Sequence, residues 1–172
     1  MSPSPDGTVE RTREGGIVRF DRSLPFPIDD VWDAITEPAR IADWWPPFAA
    51  DIAVDLREGG LITFEWPGTD FPTLQFTIVH LEAPRLLEHT HTSPGSWMRW
   101  ELESTEGATR LRATYFVPDL DMAVERGDIV GLHHGLDRLA PALAGHPVPW
   151  DNDAFMELRA AYAQIGVVAP QT

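Results

Sequence analysis

Leu24-Pro25-Phe26-Pro27-Ile28-Asp29-Asp30-Val31-Trp32-Asp33-Ala34-Ile35-Thr36-Glu37-Pro38 is the stretch whose reading decides the fold. Pro25 and Pro27 cannot donate to a sheet ladder, so a strand running into them must end there. Ile28, Val31, Trp32 and Ile35 then fall at i, i+3, i+4 and i+7, the spacing of one helix face, with Asp29 and Asp30 at the positive end of the dipole. Pro38 stops that helix. Residues 39–45 have room for one further turn before Pro46-Pro47. A strand followed at once by two short helices is a restrictive pattern.

Outward from this stretch the apolar period is two. Upstream, Ile17, Arg19 and Asp21 alternate with Val18, Phe20 and Arg22 up to Leu24, a strand. Residues 1–16 are polar and rich in Ser, Pro and Gly, and read as a mobile N-terminal tail. Downstream, from Asp51 to Phe116, short alternating runs are separated by turns at Arg57-Glu58-Gly59-Gly60, Pro67-Gly68-Thr69-Asp70, Ala83-Pro84, Ser93-Pro94-Gly95 and Thr105-Glu106-Gly107. That is an antiparallel meander. After Pro118-Asp119 the period becomes helical again, with a stripe of Ile129, Leu132, Leu136, Leu139 and Leu143, an internal Pro141 that should bend the last turn, and a stop at Gly145. Asp151-Asn152-Asp153 can cap a short final helix whose Phe155, Leu158, Tyr162 and Ile165 share a face. The chain therefore reads as one α+β domain over residues 17–166, a curved antiparallel sheet wrapped around a long C-terminal helix, with a second tail at 167–172.

The composition bounds the function. With 27 acidic against 13 basic residues in 172, a formal charge of -14 and no lysine, the surface repels phosphate backbones and anionic lipids. Nucleic acid is excluded as a partner. No apolar run approaches the roughly 20 residues a membrane helix needs, and the start Met1-Ser2-Pro3 lacks the pattern of a secretory signal, so a cytoplasmic location without membrane insertion is expected. The absence of cysteine removes disulfides and thiolate chemistry, and the absence of lysine removes Schiff-base chemistry. No phosphate loop or nucleophile elbow is present. Neither a cofactor nor a metal is expected, and the oligomeric state, monomer or homodimer, stays open.

A curved sheet need not touch its helix everywhere, and the gap can hold a ligand. Alternation places Phe64, Trp66, Phe76, Ile78, His89, His91, Met98, Trp100 and Tyr115 on the concave face, Leu132 and Leu136 on the opposing helix, and Trp45 at the entrance. These are the candidate ligand-binding residues; a filled core would use the same residue types. Gly127, Gly131 and Gly135 recur every four residues along the helix, serving either close packing or cavity volume.

Several motifs together resemble the START-like, helix-grip (SRPBCC) superfamily. They are Leu24 to Pro38 followed by Asp43-Trp44-Trp45-Pro46, the turn Asp55-Leu56-Arg57-Glu58-Gly59-Gly60, the hairpin Gly107-Ala108-Thr109-Arg110-Leu111, and the helix Gly131-Leu132-His133-His134-Gly135-Leu136-Asp137-Arg138-Leu139 closed by Gly145. More narrowly, they resemble the branch named after the C-terminal domain of the heat-shock ATPase activator, AHSA-like. Ala108 intervenes where that branch usually joins glycine to threonine, and Leu132 stands where tryptophan is common. The resemblance runs from about residue 17 to 165. It implies a cavity for an apolar molecule such as a sterol, lipid or polyketide; some members are cyclases, aromatases or hydrolases, and some protect their host from a reactive metabolite in natural-product pathways. It does not imply a chaperone role.

The candidate chemistry rests on His89 and His91, which at i and i+2 share the face of Leu87 and titrate near working pH. They serve either as polar lining or, with Tyr115 as donor, as the general base of a cyclase, dehydratase or hydrolase. His80 joins them in a three-histidine cluster only if its strand keeps the register of Phe76 and Ile78. His133 and His134 are adjacent on a helix and cannot both face one site; they read as packing contacts. Trp44-Trp45 read as core or gate, while Glu65 and Asp55 point outward. The leading expectation is a module that binds a small, aromatic or polycyclic molecule for sequestration, transport or self-protection. The rivals are the enzyme and a protein-interaction module with an exposed apolar patch.

Overall fold

The computed structural model describes residues 7–164. Its meander forms an eight-stranded antiparallel sheet in the order β1-β2-β8-β7-β6-β5-β4-β3. In chain order the strands are β1 (Thr8–Thr12), β2 (Gly15–Leu24), β3 (Asp51–Val54), β4 (Leu61–Glu65), β5 (Leu74–Glu82), β6 (Leu86–Thr90), β7 (Trp97–Thr105) and β8 (Ala108–Val117). Between β2 and β3 lie α1 (Ile28–Thr36) and the single turn α2 (Pro38–Ile41). After β8 come α3 (Leu120–Arg126), α4 (Asp128–Leu143) and α5 (Asn152–Gln164). This is the expected α+β helix-grip architecture.

Two readings need correction. Residues 8–12 are not a tail: β1 pairs with β2 from Thr8↔Arg19 to Thr12↔Gly15, and Arg19 meets Glu10 at 2.9 Å. Thr-Val-Glu-Arg-Thr is an edge strand with little buried surface, so it carries no apolar alternation to be read. The long helix is also broken. Gly127 adopts φ 82°, closes α3 by donating to the Val124 carbonyl at 3.0 Å, and starts α4 in a new direction. Residues 1–6, Ile165, the boundary at 166 and the tail at 167–172 lie outside the described residues.

The three helical glycines thus do three different things. Gly127 makes the left-handed corner. At Gly135 a Cβ would sit 3.6 Å from the Trp44 carbonyl, ordinary close packing of helix on loop. At Gly131 a Cβ would meet nothing within 4 Å, because that side of α4 faces open space. Pro141 falls in the last turn of α4, where losing one backbone donor is tolerated, and the helix continues to Leu143.

The concave face of the β2, β8 and β7 half is filled. Phe20, Met98, Trp100, Ala113 and Leu136 are buried there beneath α1 and α4. Polar contacts position α4. Arg22 reaches from β2 to Asp137 at 2.8 Å. Arg138, only 6 % exposed, donates to the carbonyls of Trp44 and Pro46 (both 2.9 Å) and Val148 (3.0 Å), and lies over the Trp150 ring at 5.9 Å. No carboxylate among the described residues pairs with it. Replacing Arg138 by Met strands three carbonyls, so unfolding in urea should show a loss of roughly 3 kcal/mol. Arg57→Met, at an exposed ion pair with Asp55, should cost far less.

Candidate functional site

The other half of the sheet is not filled. Between β4, β5, the segment after β6, the loop after α2 and the start of α4 lies a cavity of about 310 Å³, at the small end of pockets that hold organic ligands. Phe64, Trp66, Leu74 and Phe76 form its sheet wall, Trp45, Pro46 and Pro47 its loop wall, and Leu132, Trp150 and Phe155 its helical wall. Alternation explains the sheet wall: Phe64 and Phe76 are inward-facing positions, and Trp66 continues the face of Phe64, the two rings stacking at 6.3 Å. Gly131 supplies volume on the helical side. At the rim, exposed Phe48 and Phe71 lean on Trp66 at 5.8 and 6.1 Å.

Polar groups interrupt the aromatic lining at few points. The imidazole of His91 lines the cavity, wedged between Phe76 at 4.7 Å and Tyr115 edge-on at 4.9 Å. Its Nδ1 is sealed from solvent and has no hydrogen-bond partner, although the ring as a whole stays partly accessible through the open volume. Burial, then the proximity of His89, lowers its pKa to about 3. Tyr115 is fully buried, with no hydrogen bond of good geometry to its hydroxyl. Burial pushes its pKa up to about 12, tempered by the nearby hydroxyls of Thr92 and Ser96. The indole N–H of Trp66 is likewise buried and unpartnered. Asp128, at the first position of α4, puts a carboxylate on the wall; burial raises its pKa, against the pull of Arg126.

His89 is different. It lies behind the wall, fully buried, with Nδ1 2.7 Å from the Thr90 carbonyl and Nε2 3.0 Å from the Trp100 indole nitrogen. A carbonyl only accepts and an indole N–H only donates, so the ring is held as the neutral Nδ1–H tautomer with both nitrogens used. Burial lowers its pKa to about 4. His89 therefore has no nitrogen left to take a substrate proton.

Of the other expected lining residues, Trp45, Phe64, Trp66, Phe76, His91 and Leu132 face the cavity, whereas Ile78, Met98, Trp100 and Leu136 belong to the packed core. Tyr115 stands behind His91. His80 does not join the histidines: a bulge between Ile78 and His80 turns it outward, where it meets Glu82 at 3.1 Å. Among the described residues no three His, Cys, Asp or Glu side chains gather in a way that could hold a metal. His133 Nδ1 lies 2.8 Å from the Tyr162 hydroxyl, and His134 accepts from the Asp151 N–H at 3.2 Å, so both are packing residues on α4. Trp44 is core and Trp45 is wall. Sequence reasoning missed Asp128, Trp150 and Phe155. Asp128 is one acid among many, and Trp150 follows two prolines outside any periodic run.

The family model described as Activator of Hsp90 ATPase homolog 1-like protein matches residues 25–144, well over half of the chain. Among solved structures, CalU16 from Micromonospora echinospora is 26% identical, with 96% of this chain and 98% of that one covered at a TM-score of 0.69. A conserved protein of unknown function from Enterococcus faecalis is 19% identical over 92% and 89%, with a TM-score of 0.77. A protein from Nitrosomonas europaea is 23% identical over 78% and 97%, with a TM-score of 0.65. Curated proteins give no match.

Both imidazoles have pKa values lowered below histidine's ordinary 6.5, so on acidification the unfolded chain takes up protons first. Their contribution to stability is intact above pH 6.5 and is lost as pH falls toward about 4 for His89 and about 3 for His91. Urea titrations should show the parent protein losing stability relative to His91→Phe through this window, with a slope approaching about 1.4 kcal/mol per pH unit. Parallel curves would mean that His91 titrates normally.

Proposed function

As a member of the Activator of Hsp90 ATPase homolog 1-like family, this chain is, we propose, a binding protein for a small aromatic molecule held in the cavity beside α4. The observation that carries this reading is the pairing of an aromatic wall with two buried polar atoms on lining residues that no protein group satisfies, Trp66 Nε1 and His91 Nδ1. Each such atom costs about 1–3 kcal/mol when left unpaired. Native interiors rarely keep them without a ligand or water to meet them. A flat ring system sandwiched by Trp45, Trp66 and Phe76 and carrying one or two hydrogen-bonding substituents answers both demands. Sequestration, transport or protection from a reactive metabolite are the roles such a pocket serves, and nothing in its geometry requires turnover.

The enzyme reading survives in reduced form. His91, whose ring meets the Tyr115 ring edge-on at 4.9 Å, is the remaining candidate base and Tyr115 the candidate donor, with His89 excluded. An imidazole titrating near 3 is far from the operating pH and a poor base, however. It suits a neutral acceptor that anchors a ligand. If His91→Gln abolished turnover of an identified substrate while binding persisted, the balance would move to catalysis.

Thermal-shift measurements and calorimetry with two- and three-ring aromatic compounds test the binding role. At least one should bind at micromolar concentration and raise the melting temperature. Gly131→Leu should fill the cavity and abolish that shift, while stabilising the unliganded protein by about 1 kcal/mol through helix propensity. A series in which nothing binds sinks the reading.

A further inference from the structure

The lining of the cavity carries charge at one place. Among the described residues its only ionisable side chain apart from Asp128 is His91, which burial keeps neutral, and no arginine lines the wall. Around these stand the faces and edges of Trp45, Phe64, Trp66, Phe76, Trp150 and Phe155. An aromatic enclosure with one carboxylate is the environment in which organic cations are recognised, because ring faces present negative quadrupole density and the acid supplies the counter-charge.

Asp128 is suited to that task by its position. Its side chain is 20% exposed, and one oxygen, Oδ2, meets Arg126 at 3.0 Å. The Arg126 side chain is itself 46% exposed, and the same nitrogen, Nη2, also donates to the Ser93 hydroxyl at 2.6 Å. Such a half-solvated pair is a weak one, and Oδ1 of Asp128 takes no hydrogen bond from any described residue. Burial raises the carboxyl pKa, a cost that a second positive charge would relieve. The fields of both charges reach Tyr115, the carboxylate raising its pKa and the Arg126 guanidinium lowering it, each a smaller effect than burial. At longer range, the formal charge of -14 concentrates cations around the protein and repels anions.

We propose that the ligand of this cavity is an aromatic amine, bound as the ammonium ion with its rings among Trp45, Trp66 and Phe76 and its charged nitrogen against Asp128. This rests on the binding reading above and narrows it: a neutral or acidic aromatic would satisfy the wall and leave the carboxylate half-paired.

Calorimetry on the full chain with 2-naphthylmethylamine, 2-naphthylmethanol and 2-naphthoate, at neutral pH and low salt, separates the two claims. The ammonium compound should bind at least about tenfold more tightly than the alcohol, and the carboxylate should bind weakest. Asp128→Asn should close the gap between amine and alcohol. Arg126→Gln, which removes the competing guanidinium from an exposed position, should widen it, and this second variant keeps the test decisive if the first does not fold. Equal affinity for amine and alcohol, a gap that survives Asp128→Asn, or a gap that narrows in Arg126→Gln overturns the cationic assignment while leaving an aromatic pocket in place. If none of the three compounds binds, both the assignment and the pocket fall.

Discussion

One guanidinium holds the cavity's walls together. Arg138 ties α4 to the loop carrying Trp45 and Pro46 on one side and to the segment carrying Val148 and Trp150 on the other, through three carbonyls and a ring face. Those segments are far apart in sequence and are otherwise irregular, so their own backbone offers no repeating hydrogen bonds to fix them. A buried arginine without a carboxylate partner is costly, and burial pulls its pKa below the ordinary arginine value. The cost is tolerated because the charge is spread over a fork whose donors match three separate acceptors, which a lysine ammonium could not do in the same plane.

The sheet serves two purposes along its width. Where β2, β8 and β7 lie under α1 and α4, large side chains interlock and the space is used up by Phe20, Met98, Trp100 and Leu136. Toward β4 and β5, α4 offers Gly131 and Leu132, and the gap stays open. The histidines mark the border. His89, two residues before His91 on the same face, is consumed by Thr90 and Trp100 on the packed side, while His91 looks into the open side. Identical chemistry has been divided by a displacement of one strand repeat, and only the second member retains a free polar atom.

Much of this was legible in the residues. The period-two runs and the i, i+3, i+4 spacing of Ile28 to Ile35 fixed the element order, and alternation alone placed Phe64, Trp66, Phe76 and His91 on the cavity side. What escaped had no periodic signature. β1 is a polar edge strand; the bulge before His80 shifts a register that the sequence shows as unbroken; and the corner at Gly127 looked like a third helical glycine until its backbone angle was known. Periodicity also cannot separate a lining residue from a core residue on one face, so Ile78, Met98, Trp100 and Leu136 were grouped with the wall. Asp128 and Phe155 come from different helices, and their convergence depends on tertiary packing alone.

One tryptophan of the pocket wall is connected to two of the core. Trp45 is in the wall, 5.2 Å from Trp44 and 5.3 Å from Trp100, and those two meet edge to face at 5.9 Å in the core. Indoles this close exchange excitation energy far faster than they emit, so light absorbed deep in the core drains toward whichever member has the lowest excited state. Trp45 is the member that a bound ring system would touch. A ring system bound in the cavity would therefore change the emission of chromophores that it never contacts, an optical report of occupancy that needs no label.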